Sequence, residues 1–455
     1  GWEFERADVS LSAPEDADII FLVIASATDW PRLARSYLRK HKIQPDVSKR
    51  AARPYVIAGG AADAIALTVL QVADAVAVGE AFTFIRNVIG LIKHDADVPT
   101  LRAWIEAYPH AIERAQVEGL ERNPARPWLL VRPAPELASP DDYVDWDDMP
   151  LVRGDDKVVR IVAEKGCWLK CKFCATTYRQ TNRQNPNAER ILDTIGKLAK
   201  RGERAQLVTN DVSNLAYFQQ VPDHGTLAQQ SLTLAGLRNQ ATFDAVLRTK
   251  ARIIRIGVEG LSPRIRQAFG KPMSREELLA MLVRLHDNKQ MSHLFYIVGA
   301  PYEHIEDWDE YKRFYAELAL AIRWGVCRIK YTSFIPDPPT PLARFLPATE
   351  YVDRMQELKL WITRNAATRH SMSVWARQLT ARIEDYATSF GVAKDVITGL
   401  LRYDQTIDLA PTLDDAYHAP WEIVRWPLSI EKRWRLGESY KKVLGVIPKA
   451  YQKEQ

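Results

Sequence analysis

Three of the four cysteines of this chain fall within eight residues, in the segment EKGCWLKCKFC at 164–174, directly after the apolar run VVRIVAE at 158–164. A secreted disulfide framework spreads its cross-links along the chain, so a tight C-x3-C-x2-C triplet on a strand-to-helix loop points to metal or redox chemistry. Iron–sulfur clusters are held by cysteine thiolates, and a [4Fe–4S] cube normally takes four of them. Three close thiolates, Cys167, Cys171 and Cys174, leave one iron open to a small chelating molecule. The alternative is a zinc site that completes the same three with Cys327 or a histidine. Zinc knuckles usually pair two C-x2-C units, and a lone triplet favours the cluster. Phe173, just before the third cysteine, can shield one face of it. Free cysteine is among the most commonly buried residue types, so Cys327 is read first as a packing residue and second as a fourth ligand or redox-active thiol.

The triplet sits in a chain of 455 residues, 47% hydrophobic, which is long enough for two or three domains. From 151 to about 345, strands and helices alternate. VVRIVAE, AQLVTND, QQSLTLA, IIRIGVE, HLFYIVG and CRIKYTSF read as strands, separated by helical stretches such as AERILDTIGKLAKRG and REELLAMLVRLHDNK. Six parallel strands with crossover helices predict a partial (β/α)6 barrel over 153–345. Before it, DIIFLVIA, YVIAGG and ADAVAVGE with a helix over 81–95 predict a small Rossmann-like α/β domain over 1–98, including a helix near Pro31 capped by Thr28 or Asp29. Prolines and the acidic cluster DDYVDWDD mark 99–152 as a linker with little regular structure. The tryptophan-rich stretch 346–455 reads as a helical C-terminal extension.

The net charge of +5 and pI near 8.8 permit a polyanionic partner without requiring one. Apolar runs of about 18 residues are absent, and the first residues are too polar and acidic for a secretory signal, so a cytoplasmic protein with no membrane contact is expected.

The cysteine segment, with its aromatic residue before the last cysteine, resembles the motif of the radical S-adenosylmethionine (SAM) superfamily, and further similarities follow in order over about 155–345. The resemblance implies one [4Fe–4S] cluster on Cys167, Cys171 and Cys174, SAM on its open iron, and a low-potential electron donor such as flavodoxin or ferredoxin. It places the backbone around Phe173 against the SAM adenine. Asn210 and Asp211, in LVTND, stand where the superfamily commonly has Gly-Gly-Glu for the SAM amino end. Ser231 and Arg238, in SLTLAGLRN, match a common third-strand pattern. IRIGVEGLSPRIRQAFGK resembles the fourth strand of the branch that includes methylthiotransferases and cobalamin-domain relatives, with Glu259 facing the SAM ribose. YIVGAPYE resembles the adenine-binding fifth strand, where Gly299 and Pro301 let the backbone approach a flat ring. KYTSFIPDPPTPL is similar to that branch's sixth-strand ending.

Gly59, Gly60, Gly79 and Glu80 are similar to the later half of the cobalamin-binding domain of related enzymes. No D-x-H-x-x-G occurs and a first strand and helix are missing, so cobalamin is not expected and the domain is read as serving packing or substrate docking. Nor is there a second cysteine trio in 1–150 for an auxiliary cluster. Hydrogen abstraction leading to rearrangement, elimination or oxidation remains. Arg179 and Arg183 after the cluster, and Arg433, Trp434 and Arg435 in a basic, aromatic C-terminal stretch, could clamp phosphates and stack an extruded base. By themselves these C-terminal residues read first as a terminal helix whose aromatics pack and whose lysines are solvated. The leading substrate expectation is a DNA or RNA base because the branch the chain resembles contains many RNA-modifying members and the charge permits it, including the case of a phage-type isomerase of an amino-acid-modified thymine. The alternatives are a peptide or small metabolite, cobalamin-dependent methylation, and a non-catalytic iron–sulfur electron-transfer or scaffold protein, which would hold a cluster yet yield no 5′-deoxyadenosine.

Overall fold

The computed structural model describes residues 17–24, 54–60, 62, 66–70, 73–79, 81–113, 158–167, 169–179, 186–322, 327–334, 340–343, 345, 354, 357–358, 361, 372–376 and 430–444. The chain divides into two compact units, one made of 1–138, 335–344 and 380–429, the other of 139–334, 345–379 and 430–455.

In the first unit, β1 (Ile19–Ile24), β2 (Tyr55–Gly60) and β3 (Ala75–Ala77) run parallel, and β4 (Ala111–Glu113) pairs antiparallel with β3. The apolar run of β2 buries Tyr55 to Ala58, as expected of a strand covered on both faces. The helix Ala81–Lys93 packs Phe84 and Val88, spaced i,i+4, onto this sheet, and Val98–Glu106 does the same with Leu101 and Ile105. Phe84, Trp104 and Tyr108 form a ring cluster, with centroids 5.0–5.7 Å apart. This last helix and β4 correct the reading of 99–152 as a linker from its first residue. The Asp97 carboxylate accepts from Thr100 N at 2.8 Å, so the proline at position 99 stands in the first turn of a helix, where it lacks nothing, and does not break one. The helix expected near Pro31 and the acidic cluster at 141–148 lie outside the described residues.

The second unit is a parallel α/β array, and all six strands expected over 153–345 are present. β5 (Val158–Val162) pairs with β6 (Arg204–Val208), and a bridge from Ala205 to Leu227 leads to β7 (Gln229–Leu232). From there β8 (Ile253–Glu259), β9 (Met291–Val298) and β10 (Cys327–Ser333) continue in parallel. A seventh strand, β11 (Met372–Ala376), adds to β10 in parallel within the stretch read as helical, while the helix Ile430–Val443 lies within the same unit. Side chains alternate across this array. Val159 and Ile161, Ala205 and Leu207, Ile254, Ile256 and Val258, Leu294, Tyr296 and Val298, and Ile329 and Tyr331 form one core with Phe243, Leu278, Leu282, Leu285, Trp308, Tyr311 and Phe314 of the helices. Each fully buried side chain of this size contributes about 1.5–3 kcal/mol. The opposite parity faces the inside of the array.

Candidate functional site

The cysteine loop leaves the C-terminal end of β5 under close control. The carboxylate of Glu164 accepts from the Thr209 hydroxyl and from Asn210 N at 3.1 Å, and Asn210 Nδ2 donates to Gly166 O at 2.9 Å. These bonds tie the loop to the end of β6. Further along, Lys172 N donates to Phe269 O at 3.1 Å and Cys174 N to Cys171 O at 3.2 Å, after which the helix Ala175–Arg179 begins. Cys171 is buried, Cys167 and Cys174 are partly buried, and all three are free thiols. Burial pushes the Cys171 thiol up to about 12 against the lowering effect of Lys271, and raises Cys167 as well. Among the described residues no group of three or more His, Cys, Asp or Glu side chains is gathered as for a metal ion. Cys327 is fully buried at the start of β10, whereas the cysteine loop follows the end of β5. In a parallel array these are opposite ends, which agrees with the first reading of Cys327 as a packing residue and disfavours the fourth-ligand alternative.

Against the loop stands an ion pair. At a bulge between Gly257 and Glu259, the backbone of Glu259 turns to φ +71° and its Oε1 meets Lys271 Nζ at 2.9 Å, both side chains about 15% exposed. The Lys271 ammonium also lies 5.7 Å from the Phe173 ring centroid, and Phe173 packs edge-on against Phe269 at 4.8 Å. Phe269 in turn stacks with Tyr440 of the C-terminal helix at 5.9 Å, and the Tyr440 hydroxyl donates to Pro301 O at 2.8 Å. Gly270 caps the helix Pro263–Phe269 at φ +87°, and a Cβ there would stand 3.4 Å from Lys170 O of the cysteine loop. Lys271, Phe269, Glu164 and Tyr440 escaped the sequence reading. The one available signal was the charge of Lys271 after a helix-ending glycine; the rest act only through the fold.

The other candidates are distributed as follows. Gly299, at φ +73°, donates with Ala300 to the buried Glu303 carboxylate at 3.2 and 3.3 Å. Asp211 accepts from Ser213 N at 2.9 Å, from Ser213 Oγ at 2.7 Å and from the Thr233 hydroxyl, so its carboxylate is occupied within the loop. Ser231 lies on the inner parity of β7, beside Arg255. Arg238 is exposed and paired with Glu277 at 3.0 Å. Arg435 is exposed on the C-terminal helix; the side chains of Arg179, Arg433 and Trp434, and all of Arg183, lie outside the described residues.

Residues 162–315 match the sequence profile of the radical SAM superfamily. No curated protein matches the chain. Among solved structures, the radical SAM methyltransferase TsrM from Kitasatospora setae, with cobalamin and a [4Fe–4S] cluster bound, matches at 12% identity and TM-score 0.48, over 74% of this chain and 64% of its own. The cobalamin-dependent SAM radical enzyme OxsB matches at 11% and 0.43, over 66% and 52%. SuiB of Streptococcus suis, bound to the precursor peptide SuiA, matches at 13% and 0.33, over 49% and 49%. The chain thus spans less than two thirds of the length of these structures. The expectation against cobalamin finds no support among them. Among the described residues no helix is long and apolar enough to cross a membrane.

Proposed function

We propose that the chain, whose residues 162–315 match the radical SAM superfamily, is an enzyme of that superfamily that cleaves SAM reductively at the Cys167–Cys174 loop and takes hydrogen from a substrate C–H bond. The observation that carries this reading is the presentation of three free thiols on one braced loop at the C-terminal end of a parallel array, next to the Glu259–Lys271 pair. When bound, the open-iron cluster and SAM supply a 5′-deoxyadenosyl radical, chemistry that no side chain provides. Cys167, Cys171 and Cys174 hold the cluster, and Phe173 and Phe269 keep water from one side of it. Glu259 can accept from both ribose hydroxyls of SAM, with Lys271 holding the carboxylate in place. Asn210 offers its carboxamide oxygen to the SAM amine, and Gly299 with Pro301 lets the backbone approach the adenine. Asp211 positions that loop through Ser213 and Thr233.

The substrate reading, a nucleic-acid base, rests on the basic charge and the basic C-terminal helix, and the comparisons lend it no support. Cobalamin-dependent methylation is the second reading. It is favoured by Gly59 and Gly60 at the end of β2 and by Gly79 after β3, the strand ends at which open α/β sheets bind ligands.

The test is anaerobic reconstitution with iron and sulfide, with and without cobalamin, followed by reduction in the presence of SAM. Wild type should take up iron and sulfide in equal amounts and release 5′-deoxyadenosine, and Cys171→Ala should do neither. A wild-type cluster that releases no 5′-deoxyadenosine would favour the scaffold alternative. Salt-sensitive binding of DNA or RNA oligonucleotides supports the base reading, and its absence removes it.

A further inference from the structure

The inner face of the array carries cations with no acidic partner among the described residues. Strand register aligns Ser231, Arg255, His293 and Arg328 across β7, β8, β9 and β10. Their neighbours Ile254, Ile256, Leu294 and Ile329 point to the helix-covered core, so these four share the inner face. Strands lie about 4.8 Å apart, which gathers Arg255, His293 and Arg328 within about 10 Å. Arg160, on the inner parity of β5, is close enough to Arg255 to lower its guanidinium pKa, behind the larger effect of burial. His293 is likewise lowered, first by burial and then by Arg328 and Arg255.

Among the described residues none of Arg160, Arg255, His293 and Arg328 makes an ion pair or hydrogen bond, and Arg255 Nε is buried without a partner. The row contains no acidic residue, although the chain has 57 of them. On β8, the next inner-face carboxylate is that of Glu259, about 13 Å along the strand and already paired with Lys271.

Arginines on a protein surface are ordinarily solvated or paired. Here three of them and an imidazole share one strand face, Arg255 and His293 partly buried and Arg160 and Arg328 exposed at its margins, and the Arg255 Nε is desolvated with no hydrogen-bond partner among the described residues. Such an arrangement costs stability in the free protein, a cost retained at functional sites. Guanidinium forks match phosphate oxygens bidentately, and several of them suit a group with more than one negative charge. One inner-face step toward the cysteine-loop end, Phe295 aligns with Lys330, whose ammonium lies 5.7 Å from the ring centroid. That ring offers an apolar rest between the cations and the radical site.

We propose that Arg160, Arg255, His293 and Arg328 bind a phosphate or pyrophosphate group at one end of the substrate, leaving the reacting carbon toward the cysteine loop. This rests on the reading of that loop as the radical site. It confines the substrate to a molecule with a phosphate or pyrophosphate group remote from the C–H bond attacked.

The test uses the full chain and inorganic pyrophosphate as probe, followed by calorimetric titration. Wild type should bind pyrophosphate, and the exposed control Arg313→Gln should bind it equally well. Arg255→Gln and Arg328→Gln should each weaken it tenfold or more, and Arg255→Lys should recover part of the loss. Without anion, Arg255→Gln should melt at or above the wild-type temperature, because it removes a desolvated like charge. The proposal is overturned if wild type does not bind pyrophosphate, if Arg255→Gln binds it as wild type does, if citrate binds as tightly as pyrophosphate, or if Arg255→Gln melts lower. Titration needs no radical chemistry, and 5′-deoxyadenosine release by wild type is measured separately. Failure of the anion site and failure of the radical reading are therefore told apart.

Discussion

At the scale of single residues, the site depends on a few side chains whose chemistry is not replaceable. Glu259 and Lys271 are both mostly buried, and removing one leaves the other as an uncompensated charge. Glu259→Gln should cost about 1–3 kcal/mol in urea unfolding, and the double variant Glu259→Gln/Lys271→Met less than the two single losses added. Gly270 is required for a different reason, since φ +87° is a left-handed conformation and the space for a Cβ is bounded by the cysteine loop. Gly270→Ala should lose about 1 kcal/mol or more and take up less iron on reconstitution, measured by metal analysis. The cysteines themselves were legible because all three lie within eight residues and need no long-range contact to be recognised as a motif. The Glu259–Lys271 pair was not, because a bulge and a helix-ending turn bring together groups 12 residues apart.

At the scale of elements, loops after the strands are locked by buried polar groups. Glu303, which accepts from Gly299 N and Ala300 N, has its carboxyl pushed up to about 8 from 4.5, chiefly by burial and against the lowering effect of those two N–H groups. Between about pH 4.5 and 8 the unfolded chain has released this proton while the folded one keeps it. Stability therefore falls as pH rises through that window, by up to about 1.4 kcal/mol per unit from this group. Glu303→Gln should flatten that part of the profile, followed by thermal melts at several pH values. The C-terminal helix is anchored by Tyr440, which is fully buried against Phe269 and Phe345. Tyr440→Ala should cost about 3–5 kcal/mol and Tyr440→Phe about 1, the second isolating the hydrogen bond to Pro301. The strands were legible from their apolar runs, and the helix Val98–Glu106 was hidden by a proline that its cap makes harmless.

At the scale of the whole molecule, each unit has its own hydrophobic cluster, one on β2 and β3, the other spanning β5–β10 and their helices. Two cores of this kind should give two calorimetric unfolding steps rather than one. If the inner cations hold a phosphate group, pyrophosphate at a hundredfold its dissociation constant should stabilise the second unit alone by about 2.7 kcal/mol, and added salt should erase the effect.

The sequence by itself pointed to the three candidate cluster cysteines, the parallel α/β class and the order of the strands, since each of these is carried by local spacing or periodicity. Only the tertiary structure decided which face of each strand looks inward. Residues 24 or more apart in sequence, Ser231, Arg255, His293 and Arg328, become neighbours through strand register alone. Charge placed singly along a chain carries no signal of a site until pairing across strands, about 4.8 Å at a time, concentrates it.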